Sequence, residues 1–283
     1  MSPVPDRSAS RIGAKDPRVR TYKCQLDSLY DRLPNTKAVH YIAAEEPYEC
    51  FSLFNNMGIF KSYGSYTRNN GTYLEWAMKR TKDEMAEAYR LHKKQLQLIL
   101  LSRNEYSTPD NRRLILKESL HSAYLEALLN AYPDALFIHT YRDPVEVAAS
   151  TCSNLEHFRQ SSGFDLKAID REALGKVFLK VPWRHGGREM LKFRQEHPEV
   201  GHRFIDIDYK ELVASPMTVV KRIYEKFGLS LTNHGRERME RYVMENPQNK
   251  YGRHRYDLKN YGLTEDEIRE HFKEYIGYFD IKC

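Results

Sequence analysis

The chain has 283 residues, 41% hydrophobic and 30% charged, with a formal net charge of +6, long enough to bury a sizeable core without staples. A mean hydropathy of −0.71 and no run near the 18 to 20 apolar residues of a spanning helix exclude a transmembrane segment. The mild charge is compatible with an anionic small molecule, an acidic polymer or a membrane surface and selects none of them.

Four cysteines, Cys24, Cys50, Cys152 and Cys283, lack C-x-x-C or C-x-x-H spacing. This argues against a disulfide framework and a zinc site, and a reducing, cytoplasmic setting is expected. Residues 1–18 are rich in Pro, Ser, Arg and Asp without apolar periodicity and predict a loose lead-in. Tyr22, Leu26, Leu29, Tyr30 and Leu33 then recur at helical steps up to Pro34. "EEPYECFSLFNNMGIF" predicts a second helix with Pro47 in its first turn and Gly58 near its end. A long helical stretch from Gly71 to Ser102 follows, with a bend expected near Lys82.

The pattern changes at "RRLILKES". Apolar runs there and at "ALFIHTYRD" alternate with the helical "HSAYLEALLNAYPD" and "PVEVAASTCSNLEHFRQ", which predicts a parallel sheet with crossover helices. A third strand is expected at "HRFIDIDY", after a helix around "HGGREMLKFRQEHP". "SPMTVVKRIYEKFG" reads as a helix opened by Ser-Pro and closed by Gly228. Two last helices flank a basic, Gly-containing segment, "QNKYGRHRYDLKNYGL". The expected architecture is α/β and helix-rich: a helical part over about 20–110, a sheet core over about 113–230, and C-terminal helices with the basic loop over 231–283, in one domain from residue 19 onward.

Ligands of open parallel sheets bind outside the carboxyl ends of the strands. The three expected strands deliver Lys117, followed by Ser119 and His121, then Tyr141 and Arg142, then Tyr209 and Lys210. Cations, hydroxyls, an imidazole and an aromatic ring on one edge suit a phosphorylated, ring-containing ligand. Arg142 can fork onto phosphate oxygens beside the helix opened by Pro144. Ser150 lies eight residues on, about 80° past two full helical turns, so only a ligand running along the helix flank would reach both. The alternative is that Arg142 simply pairs with Asp143 or Glu146. Trp183 could line a pocket or anchor packing, and His185 and His254, beside arginines, read as surface or phosphate-facing residues rather than metal ligands.

At these residues a resemblance emerges. "LILKESLHSAYLEALLNAYPDALFIHTYRDPVEVAAST" resembles the central block of sulfotransferases that use PAPS (3′-phosphoadenylyl sulfate), in particular the broad branch found in bacteria and invertebrates. "RFIDIDYKELVASPMTVVKRIYEKFGLSLT" is similar to the family's third-strand segment and "NKYGRHRYDLKNYGL" to its C-terminal basic loop. The resemblance implies a P-loop-NTPase-like fold and transfer of a sulfonate from PAPS to a hydroxyl or amine of a small-molecule or carbohydrate acceptor, with no metal and no nucleic acid involved.

It further implies that Arg142 and Ser150 contact the 3′-phosphate, Tyr209 packs on the adenine, and Lys250, Gly252 and Arg253 form a second 3′-phosphate contact. Lys117 is similar to the lysine near the transferring sulfonate. His121 is the candidate general base, with Glu118 its rival, because "KESLH" sets the histidine two positions later than the family spacing. The family's opening strand and "GxPRTGTT" turn, which hold the 5′-phosphosulfate, have no counterpart; "GSYTRNNGTY" at 64–73 lacks the flanking strand and helix start. The expectation is therefore a sheet without its first strand, with a catalytically impaired or truncated sulfotransferase-like protein that binds nucleotide or polyanion without transfer as the alternative function.

Overall fold

A computed structural model describes residues 16–58, 73, 76, 79–102, 113–180 and 187–282. The chain forms two compact units, one of Met1–Pro133 and Leu155–Ile169, the other of Asp134–Asn154 and Asp170–Cys283.

In the first unit, α1 (Pro17–Arg32) starts where Asp16 accepts from the Arg18 backbone and Pro17 occupies the first turn. It is followed by α2 (Thr36–Val39), α3 (Phe51–Asn55), α4 (Lys82–Ser102) and, after a 3₁₀ turn at Ser119–Ala123, α5 (Leu125–Ala131). α3 packs on α4, and α4 on α5. The buried side chains Phe54, Met85, Ala88, Tyr89 and His92 mark this core. Pro47 precedes α3 by several residues rather than sitting in its first turn, and Gly58 takes a positive φ of 67° just beyond its end. The expected bend at Lys82 is where α4 begins.

In the second unit, β1 (Phe137–Tyr141) and β2 (Phe204–Asp208) pair in parallel, Phe137 opposite Phe204 through Tyr141 opposite Asp208. The connection runs through α6 (Pro144–Ser161), α7 (Arg171–Lys180) and α8 (Gly187–Glu196). α6 passes from the second unit into the first after Asn154. After β2 come α9 (Tyr209–Ala214), α10 (Pro216–Lys226), α11 (Asn233–Glu245), α12 (Glu265–His271) and α13 (Lys273–Tyr278). Ile205, Ile207 and Val219 form a buried cluster joined by Leu212, Ile223 and Phe227, so one face of β2 is sealed by α9 and α10.

The sheet has two strands among the described residues, which corrects the expected strand at "RRLILKES". Residues 113–118 carry no regular structure, and Leu114 and Ile115 are 53% and 89% exposed. An apolar run becomes a strand only where a neighbouring strand pairs with its backbone and a layer covers its side chains; among the described residues no strand pairs with this run, and two of its apolar side chains stand exposed. Lys117 is thus not at a strand end. The final helix also departs from expectation: it breaks at Phe272 into α12 and α13. Trp183, His185, the "GSYTRNNGTY" stretch except its last residue, Tyr73, and nearly all of the lead-in lie outside the described residues.

Candidate functional site

The candidate residues fall into two groups, one in each unit. The second unit holds Arg142, Ser150, Tyr209, Lys250, Gly252 and Arg253. Arg142 and Tyr209 are the next residues after the register partners Tyr141 and Asp208, so parallel pairing delivers them side by side. The guanidinium lies 4.6 Å from the Tyr209 ring centroid, in cation–π range.

Its Nε donates to Glu146 Oε2 at 2.7 Å, and the Tyr256 hydroxyl shares a side-chain hydrogen bond with it. Burial opposes the charge on Arg142, but these partners outweigh it and hold the group more firmly protonated than usual. The Arg142 backbone N–H donates to the Tyr275 hydroxyl. The pairing with Glu146 weighed from the sequence is therefore real, and it draws the side chain along α6.

The start of α6 is already capped, since Asp143 Oδ1 accepts from the Val145 N–H at 2.9 Å, so the helix N-terminus is not an open anion site. Glu146, Ser150 and Ser153 are spaced by four and three residues and share one helix face within about 60°. Arg142 is tied to this face through Glu146. Ser150 thus lies on the same flank as the group that holds Arg142, which the count of turns from Arg142 alone could not reveal.

The basic loop reaches the same flank. His254 Nε2 is 2.9 Å from Ser153 Oγ, and Tyr256, two residues on, bonds Arg142. Lys250, Gly252 and Arg253 are exposed in the turn before it, with Gly252 at φ 105° and Asn249 at φ 62°. The sequence singled out His254 beside its arginines without giving it a partner, and it passed over Tyr256. Their signal was the alternation "RHRY", which sends every second side chain to one side of a segment without regular structure.

The first unit holds Lys117, Glu118 and His121. Lys117, 76% exposed, forms an ion pair with the Glu49 carboxylate, and its carbonyl accepts from the Cys50 N–H at 2.9 Å. Glu118 caps the 3₁₀ turn, accepting at Oε1 from Leu120 N and Ser119 Oγ, both at 3.1 Å, while its buried Oε2 has no hydrogen-bond partner. Burial pushes its carboxyl above the usual range.

His121 is enclosed. Its Nδ1 is 2.9 Å from the Tyr89 hydroxyl, and the ring stands edge-on to His92 at 5.9 Å. His92 Nδ1 in turn is 2.7 Å from the Tyr132 hydroxyl. Burial lowers His92 to about 4, and burial with the neighbouring His92 lowers His121 to about 3, so both are neutral near pH 7. Cys50, next to Glu49 in the sequence, is a buried thiol that burial pushes up to about 12. Glu49 is the residue the sequence reading passed over, one of several acidic residues in "EEPYEC" with no spacing to single it out.

A parallel strand pair that brings an arginine and an aromatic ring together at its carboxyl end defines an α/β protein with a cation beside an aromatic face at its strand ends. The comparisons narrow this class. The chain matches the model of the sulfotransferase family over residues 4–233, and it belongs to that family. It is similar to the crystal structure of sulfotransferase STF9 from Mycobacterium avium, with a TM-score of 0.79 and 26% identity over 96% of this chain and 67% of that one. Sulfotransferase STF1 from Mycobacterium tuberculosis H37Rv is also similar, with a TM-score of 0.74 and 27% identity over 96% and 66% of the two chains.

Among curated proteins, omega-hydroxy-beta-dihydromenaquinone-9 sulfotransferase Stf3 of Mycobacterium bovis is 26% identical over 173 residues, 58% of this chain. The matched stretch spans 40% of that relative's length. No helix among the described residues is long and apolar enough to cross a membrane.

Proposed function

We propose that the protein transfers a sulfonate from PAPS to a hydroxyl or amine of a small acceptor. The observation that carries the reading is the Arg142 guanidinium held over the Tyr209 ring at the end of the paired strands, inside a chain of the sulfotransferase family. The donor set fits a nucleotide carrying a 3′-phosphate. A guanidinium and a serine share one helix flank, a basic loop is hydrogen-bonded to that flank, and an aromatic ring stands beside the arginine.

In this reading Arg142 and Ser150 bind the 3′-phosphate, Tyr209 packs against the base, and Lys250, Gly252 and Arg253 add positive charge and close backbone approach. PAPS supplies the activated sulfonate. Lys117, paired with Glu49, neutralises charge on the transferring group. Each candidate for the base keeps one buried atom without a hydrogen-bond partner, Glu118 Oε2 and His121 Nε2; Glu118 is the better fit because burial raises its carboxyl above the usual carboxylate range, whereas it depresses the imidazole. His121 is held neutral by burial and by the neighbouring His92.

The test is a thermal shift with PAP, the desulfonated donor, followed by transfer from labelled PAPS to an acceptor panel. The panel includes a hydroxylated isoprenoid quinone, because the curated relative's name carries that substrate. PAP raises the thermal midpoint, and Arg142→Ala removes the rise. No rise at millimolar PAP overturns the reading; a rise without transfer to any acceptor retains nucleotide binding and removes catalysis.

A further inference from the structure

Ser153 and His254 have no role in the function proposed above, yet they form a side-chain hydrogen bond between α6 and the basic loop at 2.9 Å. Ser153 is one turn beyond Ser150 on the flank that also carries Glu146. The His254 ring meets Tyr256 edge-on, with centroids 5.2 Å apart. Tyr256 then bonds the Arg142 side chain, and Arg142 returns to α6 through Glu146. The four contacts form a closed circuit: helix flank, histidine, tyrosine, arginine, helix flank.

The two ends of the loop differ. Beyond Tyr256, Asp257 caps a 3₁₀ turn whose Leu258 and Tyr261 are buried at 7% and 4% exposure, so that end is anchored. Before His254, residues 250–253 are exposed and turn through two positive φ angles at Asn249 and Gly252. His254 is therefore where the exposed cationic turn is fastened to the helix. Without that bond the loop's cations and the Tyr256 hydroxyl lose their reference to the Ser150 flank.

We infer that His254 and Tyr256 are positioning residues of the phosphate site: the Ser153–His254 bond seats the basic loop along α6, and Tyr256 orients Arg142, so together they set preference for a nucleotide bearing a 3′-phosphate over one without it. The inference rests on the PAPS reading. It assigns the contacts to the 3′ end of the nucleotide, leaving the base and 5′ end to other groups. The circuit thus contributes to discrimination between nucleotides more than to binding as such.

The experiment measures dissociation constants for PAP and 5′-AMP by calorimetry on the full chain and on Ser153→Ala, His254→Ala, His254→Gln and Tyr256→Phe. Each of the alanine and phenylalanine variants weakens PAP by roughly tenfold, the scale of one lost hydrogen bond in a charged network, with AMP changed less than about twofold. His254→Gln, which keeps a polar group near the Nε2 position, recovers part of the PAP affinity. If the unchanged chain binds PAP no better than AMP, the PAPS reading itself fails. If it prefers PAP and the variants keep that preference, or weaken both ligands alike, the positioning role is overturned.

Discussion

Arg142 and Tyr209 are separated in the chain by α6, α7, α8 and β2, yet the guanidinium sits 4.6 Å from the ring centroid because each residue directly follows a register partner. The contact is thus a product of strand pairing, and its strength depends on the ring face rather than on the hydroxyl. Tyr209→Phe is expected to leave PAP affinity within about twofold, and Tyr209→Ala to weaken it roughly tenfold, the scale of a desolvated cation–π contact and lost base packing. Calorimetric titration of both variants reads the difference.

Glu118 and Lys117 are neighbours with different work. Glu118→Gln is expected to lower turnover at saturating PAPS by about 10² or more, the range for loss of a general base, while PAP affinity stays unchanged. Single-turnover transfer from labelled PAPS separates the two quantities. Equal turnover in the variant would return the base role to another group.

Gly175 lies within α7, where an added Cβ would stand 2.1 Å from the Tyr261 carbonyl oxygen and 3.0 Å from Leu263 Cγ. Since the clash is with backbone, the neighbour cannot swing aside. Gly175→Ala is expected to destabilise by about 2 kcal/mol or more despite alanine's better helix propensity. Gly201→Ala, where a Cβ meets nothing within 4 Å, should stay within about 0.5 kcal/mol. Urea midpoints of the two variants provide the comparison.

The paired histidines predict an acid-labile fold. In the unfolded chain His92 and His121 take up protons near pH 6.5, whereas in the fold they stay neutral down to about 4 and about 3. The unfolded state therefore binds more protons across that window, and stability is full above pH 6.5 and lost as pH falls toward 4. Each histidine contributes a loss of about 1.4 kcal/mol per pH unit. Denaturant unfolding at pH 7 and pH 5.5 should reveal the drop, and His121→Gln should make it shallower.

Much of the second unit was legible because its signals are local. "ALFIHTY" and "RFIDID" are short apolar runs bounded by breakers, Pro144 opens α6, and Gly228 takes the positive φ of 62° that ends α10. "RLILK" carries the same local signal without becoming a strand, because strand formation is decided by a partner that the run itself does not encode. The site divided along similar lines. Arg142 and Tyr209 could be found from strand ends, but the Ser150 flank depended on Glu146 drawing Arg142 along α6, and the Ser153–His254 bond joins residues 101 apart. His121 looked like a base from its residue type; only burial among Tyr89, Phe54 and His92 shows the imidazole's surroundings.

The parallel pair carries a kinetic consequence. His139 and Asp206, opposite each other on β1 and β2, are 67 residues apart, and joining such distant segments costs about 4 kcal/mol of loop-closure entropy before any contact repays it. The Phe137–Phe204 stack, 4.5 Å between centroids, and the Asp206 carboxylate gripped by Arg194 at 2.8 and 3.0 Å become available only once the ends meet. A chain emerging from the ribosome therefore presents Arg142 long before Tyr209 exists to receive it. The edge where the nucleotide is proposed to bind matures late, after synthesis has passed β2, and refolding followed by nucleotide capture should lag behind the appearance of helix.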